Sequence, residues 1–341
     1  MTDASDEPER SPETPLRRSD ARRPSGDAGD EFTSHLRSAR SEFEQQVERA
    51  RADFDLANEK IKQRTGRDLI VATLIGLALG AIVIGSLMFF KEFFLLFAVP
   101  VALLGVFEFS RALQVSGRRV DVVPQLIAAL ALVLAGYFLD YWTHWTVAFV
   151  AVAFVIVWRL MAQMASRNGR TYGDVLSDVL VAGFIQLYVG FLGSLLLILL
   201  RQEQGEWWVL AMISTAVAAD TGAYAFGLMF GKHPMAPRIS PKKTWEGFGG
   251  AVLAALTAGV LLGLYMLHVP WWAGLILGVA ILATATIGDL GESMIKRDLG
   301  IKDMSSWLPG HGGVLDRLDS ILPSTVPAVA LYFVFFPLVV A

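Results

Sequence analysis

The sequence predicts an all-α polytopic membrane protein of about nine transmembrane helices, with a polar active site on the cytoplasmic side. Three observations carry that prediction. Of the 341 residues, 54% are hydrophobic and only 18% charged, giving a mean hydropathy of +0.50. Apolar runs of about 20 residues, the length a helix needs to cross a bilayer, recur along the chain. The charges are segregated between those runs, so the net charge of −3 says little about partners.

Residues 1–33 are rich in Asp, Glu, Arg, Ser and Pro and have almost no large apolar side chains. Such a segment buries too little surface to offset its chain entropy and is predicted to be a disordered charged tail. Over 34–68 the character changes. Leu36, Phe43, Val47, Ala50, Phe54, Ala57 and Ile61 fall on a and d positions of a heptad, with Arg40 on one of them. This predicts an amphipathic cytoplasmic helix, open between a short coiled coil and a helix lying on the membrane or on the protein body. The first apolar run begins only near Leu69, so a cleavable signal peptide is not expected. The chain has no cysteine, which excludes disulfides, thiolate metal sites and Cys nucleophiles.

Nine apolar segments follow, at 69–90, 92–110, 122–138, 143–161, 176–200, 207–228, 247–268, 271–289 and 320–340. The fifth is long enough to tilt or break near Gly190. The membrane-embedded catalytic domain is thus expected over 69–341. With a cytoplasmic N-terminus, the inner loops carry Arg111, Arg118, Arg119, Arg159, Arg167, Arg170, Lys232, Arg238, Lys242, Lys243, Lys296, Arg297, Lys302 and Arg317. The outer loops carry only Lys91 and Arg201, with His144 and His268. That asymmetry follows the positive-inside rule and places the C-terminus on the opposite side. Trp142, Trp145, Trp207, Trp208, Trp271 and Trp272 cluster at the outer boundary, as an aromatic belt does. No internal repeat of the kind found in many secondary transporters is evident, and the polar residues gather on one side. Both points argue against a transporter.

The densest polar stretch, 289–320, lies between the last two apolar runs. Asp289, Glu292, Ser293 and Lys296 are spaced to share one helical face. Two carboxylates, a hydroxyl and an amine there suit a hard divalent cation together with a phosphate, or else a solvated helix end. Pro309-Gly310-His311-Gly312-Gly313 brings backbone amides that can approach an anion, and Asp316, Arg317 and Asp319 follow at once. A simple N-terminal cap is an equally open reading of that turn. His311 stays open between a ligand, an acid or base, and a turn hydrogen bond. The loop Ser240-Pro241-Lys242-Lys243-Thr244 offers two lysines flanked by hydroxyls, suited to a triphosphate but also demanded by topology alone. Asp220 lies inside the sixth run, where a carboxylate must face a partner or a wet cavity. No Ser-His-Asp elbow, H-E-x-x-H, Walker loop or dinucleotide-binding glycine pattern occurs. Taken together, the set points to metal-assisted phosphoryl or nucleotidyl transfer to a lipid head group.

These residues resemble the membrane-bound phosphatidate cytidylyltransferases, the CDP-diacylglycerol synthases. The family's C-terminal pattern is met from Ser293, Lys296 and Arg297 through Lys302, Asp303, Ser305, Leu308 and Pro309 to His311, Gly312, Gly313, Asp316, Arg317 and Asp319. Gly288, Asp289, Leu290 and Glu292 precede it in register. Asp220-Thr221-Gly222-Ala223-Tyr224 and the Ser240–Thr244 loop with Glu246 and Gly247 match as well. The resemblance covers about 69–341; the long N-terminal region departs from the family's usual short start.

The resemblance implies the reaction CTP + phosphatidate → CDP-diacylglycerol + pyrophosphate at a cell (plasma) membrane. It implies Mg²⁺, with a second, monovalent cation such as K⁺, and Asp289 and Asp316 as the main metal carboxylates. Glu292, Ser293 and Asp319 are further candidates for the ion. By the same analogy Lys242, Lys243, Lys296, Arg297 and Arg317 hold phosphates, with Ser240, Thr244, Ser293, Lys302, His311, Gly312 and Gly313 in the substrate site. Asp220 orients or completes the site. The implied partners are CTP, phosphatidate, membrane lipids and a second copy of the chain, with no nucleic acid. A CTP-dependent polyprenol kinase is the nearest rival, and the two-part C-terminal pattern argues against it.

Overall fold

Helices that must satisfy their backbone in lipid account for almost all of the computed structural model, which describes residues 69–89, 91–166, 169–305 and 312–339. The expected tail over 1–33, the expected amphipathic helix over 34–68, Arg167, Leu308, Pro309 and His311 lie outside the described residues. The order is α1 (Leu69–Phe89), α2 (Lys91–Val115), α3 (Val122–Phe138) and α4 (Tyr141–Ala165), then α5 (Tyr172–Leu200) and α6 (Gly205–Phe230). A hairpin of β1 (Pro234–Ala236) and β2 (Ser240–Thr244) comes next. It leads into α7 (Trp245–Tyr265), α8 (Trp271–Asp298), the short α9 (Leu315–Leu318) and α10 (Ile321–Phe335).

Among the described residues, 7 helical segments are long and apolar enough to cross a membrane. The sequence expects about nine. The difference lies in α3, which has 17 residues, and in α1, of which the stretch Gly76–Phe89 counts as a shorter apolar helix. The fold is therefore an all-α, multi-pass membrane architecture with one small antiparallel hairpin, where only a basic loop was expected.

Local chemistry sets the helix starts. Asp140 caps α4 by accepting from the amides of Trp142 and Thr143 at 3.0 and 3.1 Å. The Thr143 hydroxyl also bonds this carboxyl and holds it below the usual carboxylate range. Thr171 and Asp174 form a capping box at the start of α5. Within α5, the bend expected near Gly190 is a π turn over Gln186–Phe191. There Gln186 turns inward and donates to the Gln125 carbonyl at 2.9 Å.

Cross-helix hydrogen bonds define the two ends of the bundle. At one end, Lys91 pairs with Glu206 at 2.6 Å, and Tyr332 donates to the Glu203 carbonyl at 3.0 Å. At the other, Arg159 reaches Asp121 at 3.2 Å and Arg170 reaches the buried Asp178 at 3.1 Å. Arg297 donates to the Ile239 carbonyl at 3.2 Å at that same end. The hairpin and the loop after α8 therefore share the basic end, as the alternation of spans requires.

Three helices approach backbone to backbone. A Cβ at Gly222 on α6 would come 2.5 Å from the Gly250 carbonyl oxygen on α7. One at Gly259 on α7 would come 2.5 Å from the Gly274 carbonyl oxygen on α8. Small residues permit this closeness, which packing between membrane helices favours. The result is an α6–α7–α8 block whose basic end carries the polar residues.

Candidate active site

The sixth, seventh and eighth helices meet the hairpin and the segment around the short α9 at a cavity of about 430 Å³. This lies within the size range of small-molecule sites. Its inner wall is apolar, from Ala219, Ala223, Phe248, Ala251, Leu282 and Ala285. Its other wall is charged, with Lys242, Lys243, Lys296 and Arg317 set among Asp220, Asp289, Asp303, Asp316 and Asp319.

Each charged group is positioned by an identifiable local device. The helix α8 runs well beyond its apolar portion, to Asp298, and so projects Asp289, Glu292 and Lys296 along one face. Lys296 Nζ lies 2.8 Å from Asp316 Oδ1 and 3.2 Å from Glu292 Oε1. Glu292 is 1% exposed, and its Oε2 is buried without a hydrogen-bond partner among the described residues. The second oxygen of Asp316 accepts from the amides of Met304 and Gly313 at 3.0 and 2.7 Å. Asp316 thus ties the returning loop to α8. Gly312, at φ +81°, adopts the left-handed conformation that the turn needs and that other residues resist.

Close packing brings the last helix against α8. The α-carbon of Gly288 sits so near the Asp319 carbonyl that a side chain there would collide with it. Ser320 donates through its hydroxyl to Asp220 Oδ2 at 3.4 Å, a long bond, and its amide donates to Asp319 Oδ1 at 2.7 Å. Asp220 and Asp319 each lie within the electrostatic reach of Asp289. From the other side, the hairpin lays Lys243 against Asp289 as an ion pair. The hairpin is itself held by Glu246, which accepts from the amides of Lys232 and His233 at 3.1 and 3.2 Å and meets His233 Nδ1 at 2.5 Å.

Among the described residues, no three His, Asp or Glu side chains converge to hold an ion unaided. Asp220, Asp289 and Asp319 line one cavity without closing a cage. Such a set suits a cation that takes its remaining oxygens from a bound phosphate and from water. Asp316, by contrast, has both oxygens engaged by Lys296, Met304 and Gly313. Basic and acidic groups interleaved beside an apolar wall can together hold a polyphosphate, a cation and a lipid.

The model of the cytidylyltransferase family matches residues 70–336. The chain belongs to the cytidylyltransferase family. The match takes in every helix of the cavity. A phosphatidate cytidylyltransferase of Mycobacterium bovis is 38% identical over 278 residues, which is 78% of this chain and 88% of that protein. One of Staphylococcus epidermidis is 31% identical over 236 residues, 67% of this chain and 85% of that protein. One of Haemophilus influenzae is 45% identical over 130 residues, 36% of this chain and 43% of that protein.

Of the residues marked by the family pattern, Asp220, Ala223, Tyr224, Lys242, Lys243, Thr244, Gly247, Asp289, Lys296, Asp303, Asp316, Arg317 and Asp319 line the cavity. Glu292 stands behind Lys296, and Gly312 and Gly313 form the turn behind Asp316. Ser240, Ser293, Arg297 and Lys302 lie outside the cavity lining, Arg297 being spent on the hairpin's Ile239 carbonyl.

Glu108 on α2 does not figure among the expected site residues. It is 2% exposed and accepts from Ser305 Oγ at 2.5 Å and from the amides of Val314 and Leu315 at 3.0 and 2.9 Å. The signal that singles out Asp220, a carboxylate inside an apolar run, marks Glu108 equally.

Proposed function

We propose that this chain is a phosphatidate cytidylyltransferase, converting CTP and phosphatidate to CDP-diacylglycerol and pyrophosphate. The observation that carries the reading is one cavity in which lysines, an arginine and several carboxylates face an apolar wall. A nucleotide triphosphate and a phospholipid need those two surfaces side by side. Family membership and relatives named for this reaction support it.

In the reaction, a phosphate oxygen of phosphatidate forms a bond to the α-phosphorus of CTP. The bond from that phosphorus to the oxygen bridging to the β-phosphorus breaks, and pyrophosphate leaves with that oxygen. A phosphate monoester is already nucleophilic near neutral pH, so the chain need not supply a strong base.

Lys242, Lys243 and Arg317 neutralise the phosphates and hold them in line. Lys296 is anchored by Glu292 and Asp316, so its ammonium is preorganised toward the cavity and needs no rearrangement as charge develops. The apolar wall at Ala251, Leu282 and Ala285 takes the glycerol and the first acyl carbons. Mg²⁺ fits this donor set through Asp289, with Asp319 and Asp220 beside it, and when bound supplies Lewis-acid stabilisation of the phosphoryl charge. A monovalent cation such as K⁺ is a second candidate for the same acidic group.

The basic end of the bundle is read as cytoplasmic, with a cytoplasmic N-terminus and a catalytic body over 69–341 in the plasma membrane. The test is purified protein incubated with CTP, phosphatidate and Mg²⁺. CDP-diacylglycerol and pyrophosphate are the expected products. A phosphorylated lipid with release of CDP would overturn the reading.

A further inference from the structure

We propose that Glu108 is a positioning residue for the transfer reaction. It seats the turn that delivers Asp316, Arg317 and Asp319 to the cavity. The chemical consequence rests on the cytidylyltransferase reading above; the seat itself stands on geometry alone.

Glu108 sits on α2, a helix that contributes nothing to the cavity lining. Among the described residues no Lys, Arg or His pairs with it. Its charge is met by Ser305 Oγ and the Val314 amide on Oε1, at 2.5 and 3.0 Å, and by the Leu315 amide on Oε2, at 2.9 Å. All three donors belong to the one segment that returns from α8 to the last helix. Leaving a buried acceptor without its donors is costly. The arrangement that meets it here is the one that places the turn where it lies.

The far side of the same turn is fixed by Asp316 Oδ2, which accepts from Gly313 at 2.7 Å and Met304 at 3.0 Å. The Gly313 backbone is therefore held between two carboxylates. A Cβ there would stand 2.7 Å from Glu108 Oε2, 3.0 Å from Ser305 Oγ and 3.1 Å from Asp316 Oδ2. Beneath the turn, Phe109, Val189, Met304 and Leu315 form one buried apolar cluster, which keeps water from competing for the seat. Because Asp316 also holds Lys296, a shift of the turn moves an α8 lysine as well as Arg317 and Asp319. Displacing catalytic groups by about 1 Å can cost about 10²-fold in rate.

The test compares wild type, Glu108→Gln and Ser305→Ala, each purified in detergent. Hydrogen exchange is read over 312–316, alongside steady-state kinetics with CTP and phosphatidate. In Glu108→Gln an NH₂ faces donors that need an acceptor. Exchange at 313–315 is expected to rise, and kcat to fall by about tenfold or more with KM for phosphatidate near wild type. Ser305→Ala keeps the carboxylate and its two amide donors, so both effects are expected in the same direction and smaller. Should Glu108→Gln fail to accumulate as folded protein, Ser305→Ala carries the comparison.

Unchanged exchange over 312–316 in the folded variants would overturn the seat. Faster exchange with unchanged kcat would overturn the positioning role. A wild-type protein that makes no CDP-diacylglycerol would instead overturn the function proposed above, because the exchange signature is read without substrate.

Discussion

Lys243, on the hairpin, forms an ion pair with Asp289, on α8. The two belong to separate elements and face the same cavity. Neither is deeply buried, with side-chain exposures of 25% and 29%. The pair is therefore worth little to stability, about 0–1 kcal/mol, and can open at small cost when a polyphosphate competes for the lysine.

Lys243→Met should accordingly leave the melting temperature close to wild type and lower kcat/KM for CTP by about 10²-fold, the usual loss for one preorganised charge contact. Thermal melts and initial rates at varied CTP measure both. An unchanged kcat/KM would exclude Lys243 from phosphate binding.

The two aspartates singled out on either side of the returning loop should behave differently. Asp289→Asn is expected to keep the fold and abolish most activity, with whatever remains requiring far more Mg²⁺. Asp316→Ala removes the partner of a partly buried lysine and two loop hydrogen bonds, so a loss of about 3 kcal/mol is expected alongside inactivity. Denaturation midpoints and Mg²⁺ titrations separate the two. Normal activity in folded Asp289→Asn would end its assignment to the cation.

Lys296 stands between two buried carboxylates, so its removal leaves them facing each other. Lys296→Met should destabilise by about 3–5 kcal/mol, and the double variant Lys296→Met/Glu292→Gln by less than Lys296→Met alone. A double-mutant cycle on melting free energies reads the coupling. Strictly additive losses would mean that Glu292 and Lys296 do not act as a pair.

Gly288 has no room for a side chain beside the Asp319 carbonyl, and Pro323 Cγ would lie 2.7 Å from its Cβ. Gly288→Ala should push the last helix away from α8, costing about 1–3 kcal/mol. The rate should fall further than stability, because Asp289 and Asp319 separate together. Wild-type kcat in this variant would show that the carboxylate spacing is not used.

Hydropathy and the alternation of charged loops make the helices and the two ends legible in the sequence, because lipid imposes length and leaves no other way to satisfy the backbone. Asp220 and Asp289 are legible for the same reason, as charges where charges are costly. The hairpin is less visible. Its strands are 3 and 5 residues long and gain their shape from Glu246 and Arg297, which no local pattern announces. The engagement of both Asp316 oxygens is likewise invisible, since Met304 and Gly313 come together only when the loop folds back. Glu108 looks like an isolated acid within Phe107-Glu108-Phe109 until the far end of the chain is brought to it.

That separation bears on how the protein is made. The donors that satisfy Glu108 lie 197, 206 and 207 residues downstream of it. During synthesis α2 is made long before any of them exists, so its carboxylate goes without these donors until the segment after α8 is made. Synthesis of the segment after α8 and closure of the turn on Glu108 are then coupled. A nascent chain stopped after Asp298 should remain open to added protease around α2, whereas one extended through α10 should not. The same buried acid that holds the turn would thereby make the settling of an early helix depend on a segment synthesised much later.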